Sequence, residues 1–421
     1  MVSAAGVVRW LLAAGVVAAG AVALGACENV VGIPERKLGD NLECSDGKCA
    51  CLKGFGDCDG DPSNGCEGDL DAAPNCGACG HSCDNGTCSK GECTCKKGFV
   101  DCNGLLTDGC EAELATDAKN CGACGHDCEG GKCQAGRCRP YELHSFAYPQ
   151  SILRGKDGLY VATCAPPPNT AIVKLGVNGG APDPVTVEDP SDMASTDCGV
   201  FQTLAGSDLY FTSNEAILDA SLSMVATPTV VEGDDLSLGF LGATSGALYW
   251  ILNDKPPATT KHLYRMAFTA GAMAEQVLKD PVTGATVFGD KLYYSDATGT
   301  SSLGDTDTMG TLISADLKTK ALTADAKNLY GQDDDGIEVV PIAGGAMKLL
   351  VPDAATFALA SDGEHLYWFD FSTGIIAEIP VGGGDTRLLD DGNGSANNAS
   401  IAFDDTAVYW LANDTVYKLV K

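Results

Sequence analysis

The run Phe357-Ala358-Leu359-Ala360, the turn Ser361-Asp362-Gly363 and the run Leu366-Tyr367-Trp368-Phe369 open the most legible unit in the chain. Ile375-Ile376-Ala377-Glu378-Ile379-Pro380 follows, then Gly382-Gly383-Gly384, then Thr386-Arg387-Leu388-Leu389. Four short runs rich in β-branched, aromatic and aliphatic residues, each closed by a polar or glycine turn, read as four antiparallel strands. The preceding stretch repeats the end of the pattern: Gly336–Pro341, then Gly344-Gly345, then Met347-Lys348-Leu349-Leu350.

Working outward, an aliphatic residue followed by Tyr marks each copy. It occurs at Leu159-Tyr160, Leu209-Tyr210, Leu248-Tyr249, Leu292-Tyr293, Leu329-Tyr330, Leu366-Tyr367 and Val408-Tyr409. The tyrosines are 37 to 50 residues apart. Units of this size, each of four strands, stack radially as propeller blades. The fold class expected is therefore mainly β: small disulfide-rich repeats, then a seven-bladed β-propeller, with six or eight blades as the alternatives. The chain closes on Val416-Tyr417-Lys418-Leu419, a third strand with no fourth, and residues around Leu143–Ala147 are expected to supply the missing one. The Tyr-Trp strands and Gly-Gly turns resemble YWTN-type propeller repeats, a family with six blades where seven are counted here.

Cysteine usage changes sharply near residue 140. Of 21 cysteines, 18 lie between Cys44 and Cys138. Cys44, Cys49, Cys51, Cys58, Cys66, Cys76, Cys79 and Cys83 form one set of eight. Cys88, Cys93, Cys95, Cys102, Cys110, Cys121, Cys124 and Cys128 form the second, and Cys133 and Cys138 begin a third that stops. Asn75-Cys76-Gly77-Ala78-Cys79-Gly80-His81 recurs as Asn120-Cys121-Gly122-Ala123-Cys124-Gly125-His126. An even count in a segment with few large apolar residues predicts cross-links in place of a core. Spacing leaves the pairing open, and zinc at Cys-x-x-Cys-Gly-His-x-Cys is the alternative chemistry. Cys164 and Cys198 make one further pair in neighbouring blades. The Cys-x-Cys-x-x-Gly-Phe stretches resemble the last part of an EGF-like module. The Asn-Gly-Cys-Glu and Asn-Cys-Gly-Ala-Cys-Gly blocks resemble cysteine-rich repeats of myxobacterial secreted lipoproteins, which implies a cell-surface setting.

The odd cysteine is Cys27. An apolar run from Trp10 to Ala26, preceded by Arg9, ends in Leu24-Gly25-Ala26-Cys27. It is short for a membrane span and has the composition of a secretion signal. It resembles the bacterial lipobox, which implies cleavage before Cys27 and lipidation of its thiol. The expected organisation is a signal peptide over 1–26, a lipidated tether over 27–43, cysteine-rich repeats over 44–139 and the propeller over 140–421. An outer-membrane or cell-surface location is preferred, since Glu28 follows Cys27.

With 27 Lys+Arg against 57 Asp+Glu, the net charge of −30 excludes a nucleic-acid partner. Asp57, Asp59, Asp61, Asn64 and Glu67 are candidate calcium ligands, although Gly60 and Gly68 do not fall at EF-hand positions. No other cofactor is expected. No catalytic residue is assigned: nucleophile-elbow, zincin, P-loop and dinucleotide motifs are missing from the sequence, and His144, His262 and His365 stand singly beside strands. The run Asp333-Asp334-Asp335 reads as a solvated turn. Connections 164–171, 187–198, 251–261, 295–310 and 391–400 are read as long loops sharing one face. The expected function is a lipid-anchored envelope protein whose propeller binds a protein or glycan through that face. An enzyme degrading extracellular polysaccharide or peptide, and a structural surface protein, are the alternatives.

Overall fold

The computed structural model describes residues 39–45, 48–61, 63–105, 108–164, 170–186, 201–213, 216–222, 229–232, 238–254, 260–356, 358–370, 373–389 and 400–421. The signal peptide, Cys27 and Cys198 lie outside the described residues, as do most of the connections 164–171, 187–198, 251–261 and 391–400. Among the described residues no helix is long and apolar enough to cross a membrane.

Seven four-stranded antiparallel sheets follow one another from residue 141 to 421. Blade 6 is built from Leu359–Ser361, His365–Asp370, Ile375–Pro380 and Arg387–Leu388, matching the four runs read from the sequence. First strands of neighbouring blades touch one another, so they line the axis. Blade 7 takes its inner three strands from Ser400–Phe403, Ala407–Ala412 and Thr415–Val420, and its outer strand from Tyr141–Ser145. The missing strand is thus supplied from the other end of the propeller segment, which removes two open edges at once.

The Leu-Tyr pairs explain why the ring holds. Each sits on the second strand of its blade, where successive side chains point to opposite faces. Tyr160 packs with Leu209 and Phe211 of blade 2, and Tyr210 with Leu248 and Trp250 of blade 3. Tyr249 meets Leu292, Tyr293 meets Leu329, Tyr330 meets Leu366, and Tyr367 meets Val408. Tyr409 then meets Leu159 and completes the circuit. The tyrosine of every blade therefore buries against the aliphatic residue of the next, and both members are buried throughout. At roughly 1.5–3 kcal/mol per buried large apolar side chain, these seams are the main hydrophobic stabilisation of the ring.

Polar latches reinforce the seams. In blades 5, 6 and 7 the first turn carries Asp325, Asp362 or Asp404, whose carboxylate accepts two backbone amides of its own turn. The same carboxylate accepts the hydroxyl of Tyr330 at 2.7 Å, Tyr367 at 2.9 Å or Tyr409 at 3.2 Å. A neighbouring blade then reaches each one: Ser361 Oγ to Asp325 at 3.0 Å, Lys421 Nζ to Asp362 at 2.6 Å and Arg154 Nε to Asp404 at 2.9 Å. Burial pushes the Asp362 carboxyl up, but the bonds from Lys421, the two turn amides and Tyr367 outweigh it and hold it below the ordinary carboxylate range. A folded-state value below the unfolded one stabilises the fold above about pH 4, and that contribution is lost as pH falls through the folded value. Asp362→Asn is accordingly expected to cost about 1–3 kcal/mol at neutral pH. A pH series of melting temperatures should show the variant closing on wild type as the pH drops below about 4.

The cysteine-rich part is built from modules out of phase with the sequence repeat. Cys51–Cys66, Cys58–Cys79, Cys76–Cys88 and Cys83–Cys93 close the first module. Cys95–Cys110, Cys102–Cys124, Cys121–Cys133 and Cys128–Cys138 close the second by the same scheme. Two cysteines of each sequence set therefore pair back into the preceding set. Cys44 and Cys49, with no set before them, pair with each other across a hairpin. Cys133 and Cys138 do not begin a third module; they close the second. All these sulfurs are consumed in disulfides, so the zinc alternative is overturned. The glycines of the shared block have a steric reason. A Cβ on Gly77 would lie 2.4 Å from the Gly91 carbonyl oxygen, and one on Gly122 would lie 2.4 Å from that of Gly136.

The chain forms two compact units. One comprises most residues up to Thr94; the other holds Cys95–Leu105 and Gly109–Lys421, so the second module and the propeller share it. Within that unit Cys121, Cys128 and Cys138 pack into the seam of blades 6 and 7, against Tyr367, Phe369, Val408 and Trp410.

Candidate functional site

Lys418, on the third strand of blade 7, is only 1% exposed, and a lysine is seldom buried so deeply unless it is paired. Its ammonium donates to Glu129 of the second module, to the Val177 carbonyl at 2.9 Å and to Asn178 Oδ1 at 2.8 Å, and it lies 5.8 Å from the Tyr409 ring centre. Tyr141 adds a bond from its hydroxyl to the Glu129 carbonyl at 2.8 Å. These contacts seat the second module on blades 7 and 1 and leave a cleft beside it.

That cleft has a volume of about 530 Å3 and lies between the hairpin at Cys133–Cys138 and blades 6 and 7. Ligand pockets are commonly of this size. Arg137, Arg387, Lys421, His126 and His365 line it, with Glu378 and Asp385. A smaller cavity of about 380 Å3 shares Arg137 and Arg387 and adds Arg139. The whole chain has seven arginines, and three of them are here. Arg387 is paired to Glu378 at 2.6 Å, while Lys421 is paired to Asp362. Arg137 and Arg139 are exposed and, among the described residues, in no ion pair. In a chain of net charge −30, two unpaired arginines beside a cleft form a local positive patch that favours an anionic group. The sequence reading missed this site, because its residues come from 126–139 and 365–421. The signal available was the clustering of a rare residue type, Arg137-Cys138-Arg139, in an acidic chain.

The face assigned to binding from loop length falls largely outside the described residues. One of its members is corrected. The stretch 295–310 is not one long loop: Asp296 Oδ1 accepts the Thr298 amide and hydroxyl, making a tight hairpin into a third strand at Gly299–Leu303. The longer turn, 304–310, comes after that strand and so emerges on the opposite face. Cys164 is disulfide-bonded.

Of the candidate calcium ligands, Asp57, Asp59 and Glu67 converge, with ligand oxygens within 4.8 Å of one another, and all three are exposed. Asp61 is not in that acid cluster and accepts the Ser63 amide at 2.9 Å, while the Asn64 side-chain amide donates to Asp59 of the cluster at 2.8 Å. The converging oxygens bond their own turn. Glu67 accepts the amides of Cys58 at 2.8 Å and Asp59 at 3.1 Å, and Asp57 accepts that of Gly60 at 2.7 Å. In the second module Glu111 accepts the Cys102 amide at 2.9 Å and Asp101 that of Gly104 at 2.6 Å. The same turn thus forms there with Leu105 in place of the third acid.

Asp334 and Asp335 are exposed and Asp333 is half-buried, as a solvated turn requires, but two of the three meet a buried acid from the next strand. Asp333 and Asp335 converge with Glu338, again with oxygens within 4.8 Å, and Glu338 is only 5% exposed. Its Oε2 is buried without a hydrogen-bond partner. Burial, then the charge of Asp333 and a hydrogen bond with its side chain, then the charges of Asp335 and Asp316, push the Glu338 carboxyl up to about 7.

No protein-family model and no curated protein matches the chain. Solved structures do. The β-propeller domain of Cps50 (Swd1) from Myceliophteria thermophila is similar over 67% of this chain and 99% of its own, at 10% identity and a TM-score of 0.52. Virginiamycin B lyase from Staphylococcus aureus is similar over 67% of this chain and 98% of its own, at 14% identity and a TM-score of 0.51. At such identities the likeness shows the propeller fold.

Proposed function

We propose that the chain is an exported, lipid-anchored envelope protein of the bacterial lipoprotein kind, whose propeller unit binds an acidic protein or glycan. On this reading residues 1–26 are the signal, Cys27 carries the lipid, 27–43 form the tether, 44–139 hold the cysteine-rich repeats and 140–421 the propeller. The carrying observation is the state of the sulfurs. Every described cysteine is in a disulfide, which requires an oxidising compartment. Cys27 and Cys198 are the two others, and with Cys164 paired to Cys198 the thiol left over is the one that follows the lipobox-like run. Two or more acyl chains hold a protein stably at a membrane, whereas one does not. The unpaired arginines beside the cleft favour carboxylate-bearing groups in the ligand.

The test is recovery of the protein from a producing bacterium's envelope, followed by intact mass measurement without reduction. The expected mass lacks residues 1–26, carries acyl chains and takes up no alkylating agent. Bound to an immobilised polyuronate, the same material should elute at clearly lower salt after Arg137→Ala with Arg139→Ala. A water-soluble product retaining Met1, or one alkylated at many cysteines, sinks the export and anchoring reading. Unchanged retention of the double variant sinks the assignment of the cleft.

A further inference from the structure

The three acids on blade 5 lie on a turn built to hold them in place. The second strand ends at Gln332 and the third begins at Gly336, so residues 333–335 form the connection. The Asp335 amide donates to Asp333 Oδ1 at 2.8 Å, and the Asp333 amide to the Gly336 carbonyl at 3.0 Å. The Asp353 amide, from the connection that follows the outer strand, donates to the Asp335 carbonyl at 3.0 Å. Gly336 has a φ of +135°, and a Cβ there would lie 2.1 Å from the Val351 carbonyl oxygen, so no other residue fits. Glu338 then stands one strand step further in, paired across Gly331 and Leu349.

Hydrogen bonds within the turn account for Asp333, but not for Glu338 Oε2. A buried carboxylate oxygen without a donor is costly, and the structure places two more carboxylates beside it instead of a lysine or arginine. Among the described residues, none of the three acids is in an ion pair.

We propose that Asp333, Asp335 and Glu338 form a divalent-cation site and that its occupant is calcium. The donors are all oxygens, which selects a hard ion over zinc or copper. Calcium takes oxygens at about 2.3–2.6 Å with variable geometry, and ligand atoms up to 4.8 Å apart can share one such ion. Magnesium demands about 2.1 Å and a near-octahedral shell, and it usually binds through one or two carboxylates while keeping several waters, so a set of three carboxylates suits calcium better. Three acids with the remaining positions filled by water correspond to the weaker, extracellular class of site, with a dissociation constant of about 10⁻⁴–10⁻³ M.

The experiment uses the whole protein, stripped with a chelator, and measures calcium binding by calorimetry and melting temperature with and without millimolar calcium. Wild type is expected to bind and to melt higher with calcium. Glu338→Gln removes the buried charge but keeps the shape, so its calcium-free form should melt at or above calcium-free wild type while losing the blade 5 binding heat and the calcium-dependent rise. Asp335→Asn should weaken binding about tenfold or more. Glu67→Gln, in the exposed cluster of the first module, should leave both signals in place. The proposal is overturned if wild type shows no calcium response, if Glu338→Gln responds like wild type, or if Glu67→Gln alone abolishes the response. A melting temperature that follows pH but not calcium also overturns it, since a shared proton would then hold the carboxylates together.

Discussion

Trp410→Ala is expected to lower the stability of the propeller unit by about 3–5 kcal/mol, the largest effect of any single truncation in the ring. Trp410 is 0% exposed on the second strand of blade 7. It is stacked on Tyr417 at 5.6 Å and shares a cluster with Tyr367 and Phe369 of blade 6 and with Cys121, Cys128 and Cys138 of the second module. Truncation therefore opens a void where three parts of the unit meet, and the disulfides on one wall resist collapse into it. Denaturant titration of wild type and variant measures the difference. Trp410→Phe should cost well under half as much. It keeps most of the contact area, and it removes an indole nitrogen that is buried without a partner. If both substitutions cost the same, the loss is not one of volume.

The second large effect is expected at Lys418. Lys418→Met keeps the length of the side chain but strands Glu129, the Val177 carbonyl and the Asn178 amide oxygen. Removing one partner of a buried charge pair costs about 3–5 kcal/mol; because Glu129 is 40% exposed, about 2–4 is expected here. Glu129→Gln in the same chain should recover part of the loss, and a double-mutant cycle isolates the pair. The disulfides of the second module stay closed in all four proteins. Proteolysis of the cysteine-rich segment should therefore rise no more than the global unfolding requires. Fully additive costs would show that Lys418 acts through its carbonyl partners and not through Glu129.

Much of the propeller was legible because the repeat is carried by residues with one job. A Leu-Tyr dipeptide on a strand buried on both faces must be apolar at consecutive positions, and that departs visibly from ordinary alternation. The closing strand was legible by elimination, since a final blade with three strands leaves an open edge. The strand Gly299–Leu303 was not, because Gly-Thr-Ser-Ser-Leu is small and polar; its Thr300 buries by bonding Ser295 of the preceding strand and the Leu317 carbonyl. The module phase was hidden for a different reason. Spacing counts residues, whereas pairing depends on which hairpins pack, and only the three-dimensional arrangement shows that Cys88 belongs with Cys76. Glu338 was passed over because it sits among aliphatic residues of a strand, where a single acid reads as an outward-facing position. The Asp333–Asp335 turn is visible in the sequence, but the third acid beside it comes from the next strand and is buried.

The offset between the repeated text and the cross-linked unit bears on how such a chain can change over generations. Because each set lends two sulfurs to the set before it, cutting and rejoining the gene one period further along leaves every thiol with a mate of the same kind. The leading hairpin absorbs the two that have nothing to lend to. Unequal recombination can thus add or delete whole periods without creating an orphan sulfur, and the number of modules becomes a quantity that selection adjusts without redesigning the oxidative folding of its neighbours.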